Sequence, residues 1–218
     1  EINVSVWNGL MFINFDKRCN SLESIYEKLE KRLNKRNFNS YQFYKRDSYN
    51  ISCNWKIYMD NYLEGLHIPI VHPELNKTIN YKSYKTEIHD QFSLQWCSID
   101  QELNPYKSDS SEDLIAYYVT IFPNVILNIA PGRLQTNIVE PIDEKNCSVH
   151  FDYYFEQIDE KQIQKDLDFS DIIQREDIEI CELVQASYEA KGFKNGIISK
   201  KYESGILHFH SRLKEILL

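Results

Sequence analysis

The chain has 218 residues, 42% of them hydrophobic and 27% charged, enough to bury one substantial core without disulfide or metal staples. Thirty-three acidic against 25 basic residues give a formal charge of -8, which repels phosphate backbones and anionic lipid and argues against nucleic-acid and membrane partners. No apolar run approaches the ~20 residues of a membrane helix. The five cysteines are scattered, with no C-x-x-C pair, and suit a reducing compartment, so a soluble cytoplasmic domain is expected.

In chain order, "VSVWNGLMFINFD" (Val4 to Asp16) reads as a strand pair turning at Asn8 and Gly9. The chain starts at Glu1 without the layout of a signal peptide and runs straight into this strand, as the remainder of something longer would. Asn20 with Glu23 three residues on reads as a helix start, and Leu22, Ile25, Leu29 and Leu33 form its apolar stripe. The basic patch Lys28 to Arg36 reads as the solvated face of that helix. "SYQFYKRDSYNIS" (Ser40 to Ser52) returns to strand character. "NWKIYMDNYLEGLHIPIVHPEL" (Asn54 to Leu75) starts as a helix that Pro69 and Pro73 do not allow to continue. From Tyr84 to Glu156 strand signal dominates, punctuated by Pro105, Pro123, Pro131 and Pro141. In "SVHFDYYFE", Val149, Phe151, Tyr153 and Phe155 alternate with Ser148, His150, Asp152 and Tyr154, as in a sheet with one buried face. Ile158 to about Lys191 is helical, with a break expected near Phe169 and Ser170. A last helix, about Ser204 to Leu218, carries Ile206, Phe209, Leu213 and Ile216 on one face. The order predicts one α+β domain, an antiparallel sheet with helices packed on one face.

The chemistry concentrates in two segments. On a straight helix His67 and His72 would point about 140° apart; they converge if the helix breaks between them, and Pro69 is placed to break it. A pair of imidazoles suits Zn, Fe, Cu or Ni, or a purely structural turn. In "IIQREDIEICELVQASY" (Ile172 to Tyr188), Ile173, Asp177, Ile180, Cys181, Val184 and Tyr188 share one helical face. Asp177 thus sits in an apolar stripe, where an ionised carboxylate costs on the order of several kcal/mol unless it is paired or binds a metal. Glu176, Glu179 and Glu182 fall elsewhere around the helix and are expected in solvent. A buried Arg or Lys is the alternative partner for Asp177, and none is evident in the pattern. Two histidines and a carboxylate on separate elements form the facial arrangement typical of non-haem Fe(II) oxygenases. Nothing resembles the H-E-x-x-H of zinc peptidases.

Of the remaining candidates, His89 and His150 are expected to be solvated, and His208 and His210 to serve packing or the surface. Cys181 is expected near the metal as a small hydrophobe. Fifteen Tyr, 11 Phe and 3 Trp could cage a quaternary ammonium through cation–π contacts, though most aromatic side chains build cores.

The quoted His segment resembles the mononuclear-iron motif of Rieske-type (ring-hydroxylating) oxygenase α subunits. "FPNVILNIAPGRLQTNIVEP" (Phe122 to Pro141) and "QREDIEICELVQASYEAKGF" (Gln174 to Phe193) with "ESGILHFH" (Glu203 to His210) resemble later blocks of the branch that includes choline monooxygenase. The resemblance runs in order from about Trp7 to Leu213. It implies a helix-grip catalytic domain over 1–218, a curved antiparallel sheet closed by a long C-terminal helix. It also implies Fe(II) held by His67, His72 and Asp177, with Glu64 carrying electrons from the Rieske cluster of a neighbouring subunit and Asn61 close to the iron. Many family members have aspartate at the position of Glu64. The family's N-terminal Rieske domain binds [2Fe-2S] through C-x-H and C-x-x-H motifs; this chain has no C-x-H, and its C-x-x-H, Cys147 to His150, lies within a strand pattern and reads as a coincidence.

The expectation is therefore a catalytic domain whose Rieske cluster belongs to a missing domain or another chain, the abrupt start favouring a fragment. A ferredoxin or reductase would supply electrons, and the intact protein would form a homotrimer. O2-dependent hydroxylation or N-demethylation of a choline- or betaine-like substrate is the leading reading. An aromatic ring-hydroxylating dioxygenase is the second, and a helix-grip module that binds a ligand without redox work is the rival from another class.

Overall fold

The computed structural model describes residues 2–19, 21–33, 36–100, 114–191 and 196–217. Strands β1 (Asn3–Trp7) and β2 (Leu10–Asn14) pair antiparallel. Asn8 and Gly9 between them have φ of 48° and 82°, the two positive values that a tight primed hairpin turn needs. Trp7 is buried, whereas Val4, Val6, Met11 and Ile13 stand exposed.

Helix α1 (Leu22–Arg32) has Ser21 as its N-cap; Asn20, the expected cap, lies outside the described residues, as does Pro105. Ile25, Leu29 and Leu33 are buried as the stripe requires. The basic patch is not uniformly solvated: Arg36 lies beyond the helix, is buried, donates to the Ile115 carbonyl at 3.1 Å and covers the Tyr117 ring.

Seven strands form one antiparallel sheet: β3 (Gln42–Ile51), β4 (Lys85–Ile88), β5 (Phe92–Ser98), β6 (Ile115–Ile121), β7 (Val125–Ala130), β8 (Arg133–Pro141) and β9 (Cys147–Phe155). Their spatial order is β3-β9-β8-β7-β6-β5-β4. The register sends Leu94, Val119, Leu127 and Leu134 to one face, where they join Trp7, Leu29 and Leu33 in one core. The other face packs Val149, Phe151, Tyr153 and Phe155 against helices α2 (Trp55–Tyr62), α5 (Glu160–Glu189) and α6 (Ser204–Leu217). The α+β order and the helix-grip arrangement are present. The long helix is α5, with α6 beside it, and α1 adds a helix on the opposite face.

The expected break in α5 is absent. The helix is continuous through Phe169 and Ser170, and Ser170 is buried with its hydroxyl 3.1 Å from that of Tyr153; the polar residue serves a tertiary contact and does not mark a break. Two predicted apolar faces end sooner than expected. Val184 and Tyr188 on α5, and Ile216 on α6, are exposed. Cys147 and His150 point to opposite sides of β9, as residues three apart on a strand must, and Cys147 is fully buried.

Candidate metal centre

The site is built on the turn after α2 and on the middle of α5. Asn54 caps α2, its side chain accepting from the Lys56 amide at 3.1 Å, and Asn61 lies in the last turn. The chain then passes under Tyr84. A Cβ on Gly65 would come within 2.7 Å of that ring, so only glycine permits the approach. His67 caps the short helix α3 (Ile68–Val71), and His72 joins α3 to α4 (Pro73–Thr78). The break between the histidines is at His72, whose φ and ψ are -115° and 73°, and not at Pro69. Pro69 fits the first turn of α3, where no amide hydrogen is needed. Pro73 disfavours helical geometry in the residue before it, and His72 departs from it.

His67, His72 and Asp177 converge. One ligand atom from each can be chosen so that all lie within 4.8 Å of one another. His72 Nε2 is 3.0 Å and His67 Nε2 3.8 Å from Asp177 Oδ1, and the two rings are 5.0 Å apart at 78°. Asn61 Nδ2 donates to the same oxygen at 2.6 Å. Each imidazole has its other nitrogen on a carboxylate: His67 Nδ1 on Glu64 at 2.5 Å and His72 Nδ1 on Glu176 at 2.7 Å. Glu64 also accepts from the Leu66 amide.

Glu176 was expected in solvent. It faces the α3–α4 junction because it lies one residue, 100° of helix, from Asp177. Glu182 is likewise engaged, accepting from the Ser52 amide at 2.9 Å, while Glu179 is exposed. Cys181 does not line the cavity but is buried in the core with Cys53 and Cys147, one turn further along α5 than Asp177. His89 is not solvated either: it stacks on Phe92 at 4.2 Å. His150 bonds Ser48 and Glu140, and His210 bonds Asp60 at 2.9 Å.

Burial of His72 disfavours its charged form, yet the carboxylates of Asp177 and Glu176 outweigh this and raise its pKa above the ordinary 6.5. Three carboxylates around two imidazoles leave the cluster net negative even with both rings protonated. No lysine or arginine pairs with Asp177 among the described residues. The donor set, the convergence and the orientation of each ring by a carboxylate behind it all fit a divalent transition metal.

A cavity of about 140 Å³ opens beside the cluster. Its floor is the sheet face bearing Asn128, Arg133, Gln135 and Asn137, polar residues that sequence reading passed over; of these, Arg133, Gln135 and Asn137 are buried. Arg133 is a buried arginine that the pattern did not reveal, and it pairs with Asp166 at 2.7 Å, not with Asp177.

The family model for the ring hydroxylating alpha subunit (catalytic domain) matches residues 38–218, and the chain belongs to that family of oxygenase subunits. It is 34% identical over 174 residues to choline monooxygenase, chloroplastic, from Arabidopsis thaliana, covering 77% of this chain and 40% of the relative. It is 28% identical over 214 residues to the carnitine monooxygenase oxygenase subunit of Acinetobacter pittii, covering 94% and 58%. A solved quaternary ammonium Rieske monooxygenase superposes with a TM-score of 0.81 at 22% identity, over 98% of this chain and 61% of that one. The chain thus spans roughly two to three fifths of the length of these proteins. No helix among the described residues is long and apolar enough to cross a membrane.

Proposed function

We propose that the chain is the catalytic domain of an oxygenase that hydroxylates or N-demethylates a small quaternary ammonium substrate, choline- or betaine-like, with Fe(II) held by His67, His72 and Asp177. The observation that carries this reading is the convergence of those three side chains within 4.8 Å beside a cavity, in a family whose similar members include choline and carnitine monooxygenases. Fe(II) bound there would supply the activation of dioxygen for hydroxylation at a carbon attached to nitrogen, after which loss of an aldehyde makes oxidation and N-demethylation one chemistry.

The chain's own residues prepare that site. Glu64 and Glu176 hold the Nδ1 atoms of the two histidines, so both rings turn Nε2 toward Asp177, and the amide of Asn61 fixes the Asp177 carboxylate. Glu64 is the residue through which electrons would enter, being bonded directly to the ring of His67. Tyr62, Tyr84 and Tyr118 present aromatic walls to a cation in the cavity. The [2Fe-2S] Rieske cluster would belong to a further domain or another chain, fed by a ferredoxin or reductase within a homotrimer. Five free cysteines, four of them buried, fit a reducing compartment, and we propose a cytoplasmic location.

The test is turnover with a Rieske-domain-bearing polypeptide and a reductase supplied, reading aldehyde released from choline or γ-butyrobetaine. Aldehyde from the wild type and none from Glu64→Gln, with both loaded under saturating Fe(II), is the expected result. Hydroxylation of an aromatic hydrocarbon in place of the ammonium compounds would overturn the substrate class.

A further inference from the structure

We infer that Gln174 anchors the substrate. Its carboxamide N–H takes an oxygen of the bound ammonium compound, so the cavity selects oxygen-bearing quaternary ammonium ions over bare ones. This rests on the function proposed above and assigns to that site a residue the metal centre does not use.

Gln174 lies three residues before Asp177 on α5, on nearly the same side of the helix. It lines the cavity and is 2% exposed. Its Oε1 accepts the Tyr58 hydroxyl at 2.8 Å, and Tyr58 is itself buried. Its Nε2 has no hydrogen-bond partner. The reverse amide orientation would place Nε2 on the Tyr58 oxygen and leave both the Tyr58 proton and Oε1 without partners, so the observed orientation leaves fewer groups unsatisfied. A buried donor with no acceptor disfavours the fold unless the acceptor arrives from outside, and the residue that carries this donor lines the cavity.

The surroundings define what that acceptor belongs to. The hydroxyls of Tyr62 and Tyr84 are committed to Asn128 and Gln95, at 2.8 and 3.0 Å, and Tyr84 stacks on Tyr118 at 6.4 Å. These side chains therefore offer the cavity mainly ring surface, which suits an ammonium group. Arg133 also lines the cavity, but Asp166 balances its charge. The cavity thus calls for an acceptor oxygen without calling for net negative charge, and a hydroxyl and a carboxylate both qualify.

The test is calorimetric titration of the 218-residue chain with three probes: γ-butyrobetaine, which carries a carboxylate; choline, which carries a hydroxyl; and tetramethylammonium, which carries no oxygen. In the wild type both oxygen-bearing probes should bind roughly three- to tenfold more tightly than tetramethylammonium, the range of one hydrogen bond. Gln174→Leu should erase that preference and leave tetramethylammonium unchanged. Gln174→Glu keeps an acceptor for Tyr58 but replaces the N–H by carboxylate oxygen; it should lose γ-butyrobetaine and retain choline, whose hydroxyl can donate. If Gln174→Leu does not fold, the Glu variant decides. Preference unchanged in the variant that folds overturns the role of Gln174 and leaves the ammonium-oxygenase reading standing. Binding of none of the three probes to the wild type overturns that reading and this inference together.

Discussion

Asp166 and Asp177 stand about three turns apart on the same helix, and their partners differ in kind. Asp166, with a side chain 2% exposed, faces the guanidinium of Arg133 at 2.7 Å. Asp177, 17% exposed, faces two imidazoles and the Asn61 amide. The first charge is balanced by a cation the chain supplies. The second lies in a cluster with more carboxylates than the imidazoles can neutralise. A fold that buries a carboxylate beside its own arginine has completed an ion pair; one that gathers three carboxylates and two imidazoles has built a place for a cation from outside.

The comparison can be broken by mutation. Asp166→Ala strands the buried Arg133 charge and should cost roughly 3–5 kcal/mol of unfolding free energy, read by denaturant titration. Asp177→Ala removes negative charge from a net negative cluster and should leave the metal-free chain as stable as the wild type or more so. Equal large losses in both variants would make Asp177 another structural ion-pair residue and end the contrast. A smaller effect sharpens it: Glu176→Gln weakens the hold on His72 Nδ1 and should reduce Fe(II) affinity by about 10–100-fold, with the thermal midpoint of the metal-free chain little changed. An affinity equal to wild type would show that His72 needs no carboxylate behind it.

The smallest expected effect concerns a histidine outside the cluster. The hydrogen bond that His210 Nε2 donates to the Asp60 carboxylate raises the pKa of His210 above 6.5, against the opposing effect of burial. A raised folded-state value means that the pair's contribution is fully present below the unfolded pKa and is lost as pH rises through the folded one. The stability gap between wild type and His210→Gln should therefore be widest under mildly acidic conditions and close as pH climbs past the raised value. A gap that widened with pH would contradict the pairing, which joins α6 to the helix that carries Asn61.

Much of this was legible in the sequence, and the rest was hidden for identifiable reasons. Asp177 stood out because it interrupts an apolar helical face, and the two histidines because prolines surround them. The position of the break was misread because a proline both stops a helix and starts one: Pro69 opens α3, and Pro73 acts on the residue before it. Glu176, Gln174 and the Arg133–Asp166 pair were hidden because their meaning depends on partners far away in the chain. Arg133, Gln135 and Asn137 alternate with Leu134, Thr136 and Ile138 in the same way as a solvent-facing strand, since a period of two does not tell water from a polar cavity, and Asn128 stands singly in an apolar run. In "SVHFDYYF", Val149, Phe151, Tyr153 and Phe155 are buried as the alternation requires, but Ser148 and Asp152 of the other face are buried as well, Asp152 paired with Arg46 at 2.6 Å, a partner that lies far away in the chain.

The most direct measurement is anaerobic Fe(II) titration of the wild-type chain beside Asp177→Ala, with bound metal quantified after removal of excess. The account predicts about one iron per wild-type chain, as a single 2-His-1-carboxylate site requires, and its loss in the variant. Equal iron content in the two proteins would contradict it.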